Sequence, residues 1–108
     1  MWMSTRDHAR FGLLHARGGR WGERQVVPIG WVDECRQPCP VNPEYGLLWW
    51  LNTGRVQFPS APESCFAARG AGSNVIWIDP QHDLVVVLRW INKTSLDGLI
   101  KLVVGALV

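Results

Sequence analysis

Gly70-Ala71-Gly72-Ser73-Asn74-Val75-Ile76-Trp77-Ile78-Asp79-Pro80-Gln81-His82-Asp83-Leu84-Val85-Val86-Val87-Leu88 is the stretch on which the fold turns. β-Branched and aromatic residues crowd positions 74–79 and again 83–91, which predicts two strands. Between them Asp79-Pro80-Gln81-His82-Asp83 carries turn chemistry, with proline preset for the bend, so the strands should form a hairpin. Leu84-Val85-Val86-Val87-Leu88 is aliphatic without alternation, which predicts a central strand covered on both faces. Upstream, positions 64–69 predict a third strand. Gly70-Ala71-Gly72 interrupts it, and glycine there marks a bulge or the close approach of another backbone or a ligand.

Outward from this core, positions 45–51 are a β-rich run closed by the turn signal Asn52-Thr53-Gly54. Pro38, Pro40 and Pro43 make 36–44 an irregular surface loop. Ser4 can cap a first helix, with Asp7 three residues on at the positive end of its dipole. Ala9, Phe11, Leu13 and Leu14 carry the apolar content of that helix, and Gly18-Gly19 stops it. Pro28 opens a shorter helical segment over 29–35. Thr94 or Ser95 caps a last helix, where Leu96, Leu99, Ile100, Val103 and Val104 fall at helical spacing. Its other residues are also largely apolar, so it should lie flat on the sheet. The expected class is α+β: a three-stranded antiparallel sheet with an N-terminal and a C-terminal helix.

A chain of 108 residues makes one domain at most, long enough to bury roughly two-thirds of its unfolded surface. With 47% hydrophobic and 19% charged residues it is too apolar for a disordered chain. The net charge of +2 comes from dispersed Lys and Arg, without the basic stripe that nucleic-acid binding requires. The opening Met1-Trp2-Met3-Ser4-Thr5-Arg6-Asp7 is no signal peptide, and the apolar tail at 99–108, interrupted by Lys101, is too short for a membrane span. A soluble chain is the expectation, of unspecified compartment. Seven tryptophans spread along the chain suggest a core and a cleft lined with indoles. Cys35, Cys39 and Cys65 leave one unpaired whatever bonds form. The first two suit a small disulfide loop or two metal ligands; a zinc site would need a fourth ligand, for which His82 is the nearest downstream candidate. Three reduced thiols, with no metal and no cofactor, are the simpler expectation.

Read in order, the pieces resemble the C-terminal end of the β-lactamase/penicillin-binding-protein superfamily of serine hydrolases, in its class C-like or esterase-like branch. The matching stretches are Ser4-Thr5-Arg6-Asp7-His8-Ala9-Arg10-Phe11-Gly12, then Gly18-Gly19-Arg20-Trp21-Gly22 with Pro28 and Trp31, then Tyr45-Gly46-Leu47-Leu48-Trp49-Trp50. The last is Gly70-Ala71-Gly72-Ser73-Asn74-Val75-Ile76-Trp77-Ile78-Asp79-Pro80 running into Asp83-Leu84-Val85-Val86-Val87. The resemblance covers nearly the whole chain and implies that positions 1–108 are a single partial domain of a larger transpeptidase-like fold. Its sheet would have two further strands from the N-terminal end, and the missing N-terminal half would be a partner. Ester or amide substrates, hydrolysed through an acyl-serine, are what the resemblance implies for the full-length family.

Three motifs carry that chemistry: Ser-x-x-Lys with the nucleophile, Tyr-x-Asn for proton relay, and Lys/His-Thr/Ser-Gly on the strand edging the cleft. A base lowers the cost of losing the hydroxyl proton, and backbone N–H groups stabilise the oxyanion. None of Ser4, Ser60, Ser64, Ser73 and Ser95 has a lysine three residues on. The one tyrosine, Tyr45, is followed by Gly46 and Leu47. The third motif maps onto Ala68-Arg69-Gly70: the glycine matches, Ala68 stands in place of the cation and Arg69 in place of the hydroxyl residue. The oxyanion N–H then maps to Ala71. No catalytic residue is expected in this chain; the substrate-binding candidates are Arg69, Gly70 and Ala71.

Each candidate has a plainer alternative. Arg69 either holds a substrate carboxylate through its fork or is a solvated arginine at a strand end. Trp49 and Trp50, adjacent in a strand, face opposite sides, one to the core and one to the cleft. His8, His15 and His82 are expected on the surface or in turns. Two functions of other classes compete with the hydrolase reading: a stand-alone, tryptophan-exposing interaction module, and a subunit completing a partner's sheet by strand addition. Whether the strand edges are satisfied within the chain separates them.

Overall fold

The computed structural model describes residues 2–107 and shows an α+β chain. Helix α1, Thr5–Ala16, begins as its sequence dictates: the Ser4 side chain accepts from the Asp7 backbone N–H at 3.1 Å and donates its hydroxyl to Asp7 Oδ2 at 2.8 Å. That reciprocal pairing satisfies an otherwise orphaned helix donor. A small hairpin follows, β1 Arg20–Trp21 and β2 Arg24–Gln25, turning at Gly22 with φ +59°. Then come α2, Ile29–Cys35, and the main sheet: β3 Trp50–Leu51, β4 Phe66–Gly70, β5 Asn74–Asp79 and β6 Leu84–Leu88. The chain closes with α3, Leu96–Ala106.

The main sheet is antiparallel throughout, in the order β3-β4-β5-β6. The three consecutive strands expected from the sequence are its body, and β3 adds a short fourth. One face carries Phe66, Ile76 and Ile78 against Trp49, Leu51 and Cys35, with Val85 and Val87 at the margin. Helix α1 lies across β5 and β6 on this face. It comes close because Gly12 has no side chain: a Cβ there would stand 2.7 Å from both Ile76 Cγ2 and Val85 Cγ1. The opposite face packs Ala67, Val75 and Trp77 against Phe58, Cys65, Leu96 and Ile100. Helix α3 therefore does lie on the sheet.

Four expectations are corrected. β6 is an edge strand, and its residues are all half-buried, whereas Val75, Ile76, Trp77, Ile78 and Asp79 of β5 are buried. An unbroken aliphatic run reports two covered faces, not two paired edges, and β6 has helices over both faces but a neighbour on one side only. The run 45–51 is not one strand: Tyr45 bridges back to Trp50, and Leu48 sits at φ +66°. Gly46 is pressed against the end of α2, where a Cβ would stand 2.1 Å from Cys35 O, so tertiary packing overrides β propensity. Neither Thr94 nor Ser95 caps α3 with its side chain. The Asn92 side chain instead accepts from Thr94 N at 3.0 Å and caps the 3-10 turn Lys93–Ser95 that leads into the helix. Finally, His15 is buried, not on the surface, its ring 4.8 Å from that of Trp49.

No helix among the described residues is long and apolar enough to cross a membrane.

Candidate functional site

β4 ends in the open. Strand alternation sends Ala68 toward the α1 face and Arg69 to the other, and Gly70 and Ala71 are exposed. The chain reverses over Ala71-Gly72-Ser73, with Gly72 at φ +79° and Ser73 at +58°. Glycine is required at 72 for a second reason: the Trp90 indole lies across the turn, and a Cβ would meet its ring at 2.0 Å. Asn74 fixes this arrangement. Its amide donates to Ala71 O at 2.8 Å, and its Oδ1 accepts from Arg89 Nε and Trp90 N, both at 3.1 Å.

Two clefts flank this strand end. The one beside α1, about 250 Å³, is mostly apolar and is lined by Met3, His8, Phe11, Ala68, Arg69 and Gly70 among others. The other, about 610 Å³, is more polar, with Trp50, Gln57, Arg69, Gly70, Ser73 and Lys93 on its wall. Arg69 and Gly70 thus border both clefts, while Ala71 sits in the turn and borders neither. Ser73 and Lys93 share the polar cleft, and no hydrogen bond joins them among the described residues.

Arg69 has fixed surroundings. It is half-buried, with its guanidinium carbon 5.8 Å from the Trp50 ring centre and 5.9 Å from that of Phe58. Its Nη1 donates to Gln57 Oε1 at 2.8 Å, and Gln57 in turn donates to Glu44 Oε2 at 3.1 Å. Aromatic faces and an amide hold the fork in place, which leaves its positive charge at the cleft without a carboxylate bound to it among the described residues. Trp49 is core, stacked edge-on against Phe66 at 5.1 Å, and Trp50 lines the polar cleft.

Gln57, Lys93 and Asn74 were not singled out from the sequence. Gln57 lies on an irregular segment and Lys93 in a short 3-10 turn, so only the fold brings them to the cleft that Arg69 borders. Asn74 gave the one local signal, an Asn directly after a glycine-rich turn.

At the other end of β5 the buried Asp79 holds a turn. Its Oδ1 accepts from the backbone N–H groups of Gln81 and His82, and its Oδ2 lies 2.6 Å from His82 Nδ1. The His82 ring is thereby committed to Asp79, and among the described residues no cluster of three His, Cys, Asp or Glu side chains is placed to hold a metal. Cys35, Cys39 and Cys65 are free thiols, the first and last buried.

Burial, then the negative charge of Asp79, pushes the Cys65 thiol up from 9.0 to about 12. Above pH 9.0 the unfolded chain therefore loses this proton while the folded chain keeps it. Stability present below that pH is lost as pH rises toward the folded value, at up to about 1.4 kcal/mol per pH unit from this group. Urea titrations between pH 8 and 11 should show the wild-type midpoint falling more steeply than that of Cys65→Ala. Parallel curves would contradict the assignment.

Comparison with known proteins adds the wider frame. No family model matches the chain. An uncharacterised protein of Alkalihalophilus pseudofirmus is 32% identical over an alignment 108 positions long, which takes in 91% of this chain and 32% of that protein. A solved structure from Bacillus anthracis, named as a candidate 6-aminohexanoate-dimer hydrolase, superposes with a TM-score of 0.65 at 22% identity. That match covers 94% of this chain and 28% of the hydrolase. At this identity the likeness is one of fold: the chain shares the α+β architecture of part of that protein. The chain spans about a third of the length of the relative it matches.

Proposed function

We propose that this chain is the C-terminal part of a β-lactamase-like serine hydrolase, which cleaves ester or amide bonds through an acyl-serine. The nucleophile, its lysine and the relay tyrosine belong to the rest of that fold, and this part supplies one wall of the cleft. The observation that carries the reading is the shared fold, which takes in 94% of this chain but only 28% of the hydrolase. The end of β4 supports it, because Arg69 and Gly70 border two clefts there.

In this reading Arg69, steadied by Gln57, Trp50 and Phe58, draws the carboxylate of an acidic substrate toward the cleft. Gly70 lets the acyl group approach the backbone, while Ala71, whose N–H the resemblance assigns to the oxyanion, stands in the adjoining turn outside both clefts. Hydrolysis of 6-aminohexanoate dimer, the activity in the Bacillus anthracis protein's name, is one amide hydrolysis of this class.

Donors without an activated hydroxyl form no acyl intermediate. The isolated chain should show background hydrolysis only, and neither a fluorophosphonate nor a labelled penicillin should attach to it. Covalent labelling of a single serine would contradict the reading. Ser73 is the one to examine, since it lines the polar cleft with Lys93, and turnover abolished by Ser73→Ala would settle the matter against it.

A further inference from the structure

The polar cleft of about 610 Å³ at the end of β4 carries two cations and, among the described residues, no acid. Arg69 and Lys93 stand on its wall with Trp50, Gln57 and Ser73, and no Asp or Glu joins them. The chain has 9 acidic residues against 11 basic ones, so acids are nearly as numerous as bases, yet none faces this cleft. Neither charge is cancelled nearby. The ion pairs among the described residues use Arg10, Arg17 and His82, which leaves Arg69 and Lys93 without a carboxylate partner. Arg69 donates one nitrogen to the neutral Gln57 amide, and Glu44 stands behind that amide, off the cleft wall.

The two cations have separate supports. Arg69 is half-buried near the end of β4, its guanidinium carbon 5.8 Å from the Trp50 ring centre. Lys93 is exposed and opens the 3-10 turn that Asn92 caps by accepting from Thr94 N and Oγ1. A planar fork on a strand and a point-charge ammonium on a turn make two anion subsites, not one. Trp50, edge-on to Tyr45 at 4.9 Å, gives the cleft a fixed apolar wall for a carbon skeleton. A cleft lined by one sign of charge concentrates anions and repels cations. In the hydrolase reading the end of β4 edges the cleft, so completing the fold leaves this wall facing substrate.

We propose that the polar cleft takes a dianion: an acyl compound with two carboxylates, one held by Arg69 and the other drawn by Lys93, its carbon chain against Trp50. Lys93 then sets specificity, because a zwitterion brings an ammonium toward it and is repelled. The inference names the substrate class of the cleft; it rests on the hydrolase reading for what is cleaved, not for what is bound. Binding is read without turnover, so either can fail while the other stands.

Nuclear magnetic resonance titration of the 108-residue chain at low salt tests it. The probes are linear dicarboxylates from succinate to suberate, the monocarboxylate of each length, 6-aminohexanoate as the zwitterion, and inorganic phosphate. The best dicarboxylate should bind about three- to fivefold tighter than its monocarboxylate, the gain expected from one exposed ion pair. It should move the Trp50 indole and Ser73 amide signals. 6-Aminohexanoate should bind more weakly than hexanoate. Lys93→Gln, at an exposed position, should erase the dicarboxylate's advantage and leave monocarboxylate binding unchanged, while Arg69→Gln weakens both. The proposal is overturned by no binding, by equal affinity for dicarboxylate and monocarboxylate, or by 6-aminohexanoate binding as tightly as hexanoate. A Lys93→Gln loss shared by both, dicarboxylate binding indifferent to Arg69→Gln, or phosphate binding as tightly as the best dicarboxylate would overturn it equally.

Discussion

Ile78→Asp is expected to leave no cooperatively folded chain. Ile78 is fully buried on the central strand, paired to Phe66 on one side and Val85 on the other, and packed among Trp49, Phe66 and Cys35. A carboxylate at that position has neither water nor a counter-ion, and a loss beyond about 4 kcal/mol is expected for an unpaired buried charge. That is most of the stability of a typical small domain, about 5–15 kcal/mol in all. Val86→Asp is the informative contrast. Val86 is half-buried on the outer strand, so its carboxylate can reach solvent at the open edge, and the loss should be about 1–3 kcal/mol. Far-UV circular dichroism with urea titration distinguishes the two. Equal losses would mean that β6 is covered along its edge and that β5 is not the sole centre of the sheet.

The second large effect concerns Asn52, which is fully buried and organises the loop that follows it. Its Nδ2 donates to Pro62 O at 2.9 Å and Phe58 O at 3.0 Å, with Ala61 O at 3.3 Å sharing the donors. Its Oδ1 accepts from Phe58 N at 2.8 Å. The side chain thus ties both ends of a loop that has little regular structure of its own. Asn52→Leu keeps the branched shape and removes every one of these bonds, leaving Phe58 N–H and Ala61 O buried without partners, while Phe58 O and Pro62 O keep the backbone N–H groups of Ala61 and Cys65. At about 1–3 kcal/mol for each orphaned group, the expected loss is about 3 kcal/mol or more. Amide exchange at Phe58 should accelerate in step. The loop also carries Gln57 and Phe58 to Arg69, so the cleft wall loosens with it. A stable variant with a protected Phe58 amide would show that the loop is held by its apolar contacts alone.

What the sequence made legible is what short-range chemistry decides. Ser4 and Asp7 announced the start of α1, the Asp79–Asp83 turn announced the β5–β6 hairpin, and the spacing of Leu96 and Ile100 announced the buried stripe of α3. The order of the strands was not legible, because it depends on which backbone lies beside which. The aliphatic run of β6 reads the same at an edge as in the middle. The β1–β2 hairpin escaped notice since two-residue strands carry no period. Asn52 followed by Thr53-Gly54 read as a turn signal, and nothing nearby revealed that its amide would be fully buried. Of the three site candidates, Arg69 and Gly70 come together at the clefts and Ala71 stands just outside them. The partners of Arg69 are Gln57, Trp50 and Phe58, from 11 to 19 positions earlier by their numbers, so its role could be posed from sequence but not decided.

Complementation tests the hydrolase reading most directly. The part of the Alkalihalophilus pseudofirmus relative that lies outside the matched segment would be co-expressed with this chain. The purified pair would then be assayed with a chromogenic ester and a fluorophosphonate probe. The account predicts a one-to-one complex with hydrolytic turnover that neither piece shows alone. The covalent label should fall on a serine of the added part, and Gly70→Val in this chain should lower turnover by crowding the cleft. A folded complex without turnover, or a label on a serine of this chain, would contradict it.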